Sequence, residues 1–148
     1  MRTHYYMFLT FVLLLTVAFQ NSSIAQDVNK EKKPDIIAGT IEGLKVDNIL
    51  TNELELAEGT EVVVSRIEIP ANTTLPKHWH PGEEFVYILE GTGILWQKGK
   101  PDVILKKGDV YKVPLKQIHT AKTLEEEATI LVFRVHEKGK PVRVNVEE

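Results

Sequence analysis

The sequence predicts an all-β sandwich or barrel, and two observations carry that prediction. Apolar runs of strand length recur along most of the chain, and turn-forming residues separate them at spacings of about 8 to 12 residues. The runs are Val46–Leu56, Glu61–Ile69, Glu84–Leu89, Gly93–Gln97, Val103–Leu105, Val110–Val113 and Ala128–Val135. The punctuation is Gly59, Pro70, Pro81-Gly82, Gly91, Gly99 to Pro101, Gly108 and Pro114. None of the runs needs a helix, although Leu44–Leu54 also fits a short one on apolar spacing.

Taken in chain order, the first 25 residues read as a secretory signal peptide. Arg2 and His4 give a weakly basic start, Met7–Phe19 is nearly unbroken apolar sequence, and Ser23-Ile24-Ala25 ends in small residues suited to cleavage. The apolar run is shorter than the roughly 20 residues that span a bilayer. Cleavage after Ala25 leaves 123 of the 148 residues and removes one arginine and no acid. The remaining 17 Lys and Arg stand against 21 Asp and Glu, a net charge near −4. That balance speaks against nucleic acid or an anionic membrane as partner, and the location expected is periplasmic or secreted. Cysteine is absent, which excludes disulfides and zinc thiolate sites.

Residues 26–43 are polar and lysine-rich where they leave the leader and read as a flexible tether; residues 44–148 suit one folded domain. Within it the stretch "PKHWHPGEEFVYILEG", Pro76–Gly91, carries His78 and His80, two of only four histidines beyond the leader. In a strand, residues i and i+2 share a face with Cα atoms about 6.6 Å apart. Two imidazoles so spaced can converge on one metal ion with bonds of about 2.1 Å. Pro81-Gly82 is expected to turn the chain back antiparallel, with glycine at positive φ. A two-residue loop would oppose His80 to Glu83 and a three-residue loop to Glu84, so local geometry leaves both open.

This stretch resembles the first motif of the cupin superfamily, G-x5-H-x-H-x(3,4)-E-x6-G, on His78, His80, Glu84 and Gly91, with Asn72 at the leading glycine. "GDVYKVPLKQIHTAKT" is similar to the second motif, G-x5-P-x-G-x2-H-x3-N, on Gly108, Pro114 and His119. It departs at Lys116, where glycine is usual, and at Thr123, where asparagine is usual. The resemblance covers roughly Val62 to Val135. It implies a small single-domain cupin of the quercetin dioxygenase-like sort, with a double-stranded β-helix (jelly-roll) barrel. It also implies one divalent metal held by His78, His80, Glu84 and His119, and it selects Glu84 over Glu83.

Three imidazoles and one carboxylate suit iron, manganese, nickel or zinc as the divalent transition metal, and an octahedral ion would keep two positions open. Oxygenase chemistry on a small organic substrate is the leading expectation; oxygen-independent isomerase or lyase action and non-catalytic ligand binding are the alternatives. Period two from Glu84 sends Val86 and Ile88 inward and Phe85, Tyr87 and Leu89 outward. Trp96 and Tyr111 are expected in core or dimer contacts rather than at the mouth of a cavity. Arg134 is expected on the exposed sheet face, a cavity-facing carboxylate anchor being the other reading, and His136 is expected on the surface. A homodimer is expected, with Val46–Leu56 available as an exchanged strand.

Overall fold

A computed structural model describes residues 41–146; the expected signal peptide and all but the last few residues of the tether lie outside them. Ten strands are present and, among the described residues, no helix: β1 Lys45–Glu53, β2 Thr60–Ile69, β3 His78–Trp79, β4 Glu83–Glu90, β5 Thr92–Gln97, β6 Val103–Lys106, β7 Val110–Val113, β8 His119–Lys122, β9 Ala128–Glu137 and β10 Val144–Asn145. They form two five-stranded sheets, β1-β2-β9-β4-β7 and β10-β3-β8-β5-β6, with every pairing antiparallel. The Leu44–Leu54 run is therefore a strand. It pairs with β2, Lys45 opposite Glu68.

The core lies between the sheets, where alternation drives one face of each strand inward. β4 buries Glu84, Val86 and Ile88 and leaves Tyr87 exposed, as period two from Glu84 predicts. β9 buries Ile130, Val132 and Arg134 while Phe133, between them, is 40% exposed. Leu44, Ile67, Ile69, Leu75, Leu95, Leu105 and Val113 join them in the apolar interior.

The connection through Pro81-Gly82 is not a hairpin. β3 belongs to one sheet and β4 to the other, so the chain crosses the interior rather than folding back on itself. Gly82 is also absent from the positive-φ residues. Its requirement is steric: a Cβ there would sit 2.1 Å from the Val135 carbonyl oxygen and 2.4 Å from His136 Cβ. The bend passes so close to β9 that only a hydrogen fits. The two motif departures on the glycine pattern do fall where the backbone is left-handed, at Asn72 with φ 54° and Lys116 with φ 58°. Asn tolerates that conformation; Lys holds it against its Cβ.

Candidate metal centre

Strand register gathers the candidate ligands from both sheets. In one sheet His119 pairs with His78 on β3 and with Gln97 on β5, so these three residues form one row. In the other sheet Glu84 pairs with Arg134. The inward faces of these rows meet, and the crossover bend lets His80 and Glu84 approach each other although no ladder joins their strands. Glu83, one residue away, points out and pairs with Lys112.

His78, His80 and His119 are all buried, and one ring nitrogen from each lies within 4.8 Å of the others. Their ring centroids are 4.4 to 5.2 Å apart. Each Nδ1 meets a backbone carbonyl: Pro76 at 2.8 Å, Val142 at 2.5 Å and Gln117 at 2.8 Å for His78, His80 and His119 respectively. A carbonyl oxygen only accepts, so Nδ1 carries the proton in every ring. In the neutral imidazole Nε2 then presents a lone pair, the tautomer a metal ligand needs, oriented by its outer partner. Burial first, with Arg143, His119 and His80 adding, lowers the His78 pKa to about 2, which keeps that ring neutral.

Glu84 lies beside the cluster. Its Oε2 lies 2.8 Å from His80 Nε2 and its Oε1 lies 3.4 Å from His119 Nε2. His80 Nε2 nevertheless makes no hydrogen bond to any described group. A close approach of an imidazole lone pair to a carboxylate oxygen is unfavourable unless a cation sits between them. An ion with bonds of about 2.1 Å and ligands at right angles sets neighbouring donors about 3.0 Å apart, a spacing the two observed distances bracket. The three buried imidazoles could therefore hold a metal ion, and Glu84 lies beside two of them.

Arg134 lies inside, not on the outer face. It is 8% exposed, its Nε donates to Glu84 Oε2 at 2.8 Å and its Nη1 donates to Ser65 Oγ at 3.2 Å. Ser65 Oγ donates in turn to Asn48 Oδ1 at 2.6 Å, so the guanidinium is held from behind. Burial pushes the Glu84 carboxyl up, but the Arg134 guanidinium outweighs it and holds the group well below the ordinary carboxylate range. The phase of β9 was the available signal, since Ile130 and Val132 set the inward parity that Arg134 shares.

His136 is also buried rather than surface-exposed: it is 4% exposed, its Nδ1 donates to the Glu137 carbonyl at 3.0 Å, and its Nε2 lies 3.6 Å from Glu61 Oε1. Gln97, which sequence reasoning passed over, is 1% exposed and donates through Nε2 to the Tyr111 hydroxyl at 2.9 Å. Tyr111 thus packs against the core, as expected. Trp96 faces away from the interior row with Lys77 Nζ 5.4 Å above its ring. A cavity of about 70 Å³ runs beneath the cluster, touching His78, Glu84, His119 and Arg134 and otherwise walled mainly by aliphatic side chains such as Ile67, Val86 and Ile130.

The fold and this constellation define a class. Residues 65–135 match the family model described as Cupin domain, so the chain carries a cupin domain. It is similar to the crystal structure of the DMSP lyase DddQ from Ruegeria pomeroyi, with 26% identity over 57% of this chain and 43% of that one and a TM-score of 0.53. This chain thus spans well under half of that lyase. A cupin-like protein from Thermotoga maritima is 22% identical over 71% of this chain and 77% of its own, with a TM-score of 0.56. An RmlC-like cupin with a double-stranded β-helix fold from Methanocaldococcus jannaschii is 15% identical over 74% of this chain and 93% of its own, also at 0.56. No curated protein sequence matches the chain significantly.

Proposed function

We propose that this cupin is a metal-dependent oxygenase of small organic molecules, with iron or manganese held by His78, His80, His119 and Glu84. The observation that carries the reading is the set of three buried imidazoles whose Nδ1 atoms are all committed to carbonyls, leaving three lone pairs beside one ionised carboxylate. When bound, the ion would supply Lewis acidity and open positions for substrate and dioxygen.

The chain's own residues do the rest. The carbonyls of Pro76, Val142 and Gln117 hold the rings, Arg134 holds the carboxylate, and the aliphatic wall excludes water, which strengthens every electrostatic contact inside. Besides the candidate ligands, the charged side chains on that wall are Arg134, Lys122 and Arg143. Among the described residues the wall offers no further carboxylate or histidine to abstract a proton, which favours a reaction driven from the metal over one needing a separate base. Metal analysis and oxygen uptake on flavonols, diketones and related chelators test this: uptake with iron or manganese supports it, and full occupancy without uptake across the panel refutes it.

The likeness to the DMSP lyase favours a second reading, an oxygen-independent lyase or isomerase, which predicts anaerobic turnover and tolerance of zinc. We propose in addition that the protein is exported and works as a homodimer. Amino-terminal sequencing of the mature protein should begin at Gln26, and solution scattering should give twice the chain mass.

A further inference from the structure

Resting on the metal reading above, we infer that the substrate of this centre is an anion, and that Arg134 is the residue that makes it so. Arginine stays protonated at any accessible pH, so its charge is fixed. Arg134 is 8% exposed, and Glu84 is the carboxylate it touches, at 2.8 Å. Its other described contact, Ser65 Oγ at 3.2 Å, is neutral. The negative charge of Glu84 is therefore already balanced before any metal arrives.

A divalent ion added to three neutral imidazoles and this balanced pair leaves two positive charges uncompensated. They would lie against a mainly aliphatic cavity, where an uncompensated charge is strongly unfavourable. Among the described residues the wall holds no second acid to offset them, since its remaining charged residues, Lys122 and Arg143, are cations. Compensation has to come from outside the protein, through a carboxylate, an enolate or another anionic oxygen group able to reach the open positions. A neutral molecule of the same shape would leave the centre charged. Arg134 thus acts as a specificity-determining residue by cancelling the carboxylate that would otherwise lower the charge of the centre.

The test uses full-length mature protein loaded with Co(II), read by its visible absorption and by calorimetry, with malonate and its neutral diamide malonamide as probes. Wild type should bind malonate about 100-fold more tightly than malonamide, the scale of one close charge pair at intermediate dielectric. Arg134→Met should lose at least about tenfold of that preference while binding Co(II) as tightly as wild type or more so, because Glu84 is no longer shared. A merely structural role for Arg134 would weaken Co(II) binding instead. Arg134→Gln, which removes the charge but keeps a hydrogen-bond donor beside Glu84, should lose the preference likewise and decides the matter if Arg134→Met does not fold. Equal binding of the two probes by Co(II)-loaded wild type, or an unchanged preference in Arg134→Met, overturns the inference and leaves the metal centre standing. Failure of wild type to take up Co(II) overturns both.

Discussion

Replacing Glu84 by Gln should separate the two adjacent glutamates more sharply than any other change. The carboxylate and the Arg134 guanidinium are 6% and 9% exposed, so neutralising one leaves the other buried without its counter-charge. Breaking such a pair costs about 3–5 kcal/mol, a large part of the 5–15 kcal/mol that typically separates folded from unfolded chains. Glu83 and its partner Lys112 are 46% and 52% exposed, and a pair of that kind contributes about 1 kcal/mol at most. Urea unfolding of chelator-treated protein reads the difference directly. Glu84→Gln should shift the midpoint strongly and Glu83→Gln hardly at all, while Glu84→Gln combined with Arg134→Met should recover at least half the loss because neither charge is then stranded. Metal titration should show Glu84→Gln weakened about tenfold or more and Glu83→Gln unchanged. A Glu83→Gln variant that loses metal, or a Glu84→Gln variant within about 1 kcal/mol of wild type, would refute the reasoning.

Three further outcomes follow from the same geometry. His78 titrates near its ordinary value when unfolded and at about 2 when folded, so stability of the metal-free protein is full above about pH 6.5 and falls below it, by up to about 1.4 kcal/mol per pH unit for this one group; urea midpoints at pH 7.5, 6.5 and 5.5 should show the decline, and His78→Asn should flatten it. Glu84 acts in the same sense at lower pH, its depressed folded value making its contribution present above about pH 4.3 and lost as the pH drops through the folded value. Gly82→Ala must displace the Val135 carbonyl or the crossover bend and should cost about 1–3 kcal/mol, with weaker metal binding because His80 and Glu84 flank that bend; a neutral result by thermal denaturation would show the bend to be pliable. Lys116→Gly removes a Cβ from a left-handed backbone at φ 58° and should stabilise the protein by about 0.5–1 kcal/mol in the same assay.

Much of the architecture was legible because it rests on local rules. Alternation around Val86, Ile88, Ile130 and Val132 sets the inward faces, and glycine and proline mark the turns. Three short strands escaped the apolar runs: His78–Trp79, His119–Lys122 and Val144–Asn145 are held by register with neighbours rather than by composition. The pairing of His80 with Glu84 was reachable through motif spacing, whereas the hairpin expected between them was wrong because a Pro-Gly turn does not reveal which sheet the chain enters next. Arg134 and His136 were misplaced for a different reason. Charge was weighted over phase, although both share the parity of Ile130 and Val132. The role of Val142 had no signal at all, since a backbone carbonyl carries no sequence identity.

The partners that build the centre are far apart along the chain: Arg134 is 50 residues from Glu84, and the Val142 carbonyl is 62 from His80. Such contacts form only after the loops between them have closed, late in folding. Unfolded chain keeps the neighbouring His78 and His80 but not the assembled set, so a metal ion favours the finished fold over everything that precedes it. A bound metal would then add a stabilisation free energy that grows with the logarithm of one plus its concentration over its dissociation constant. In a cell short of that metal, the protein would be lost to proteolysis as well as left idle, so its abundance would itself follow the metal supply.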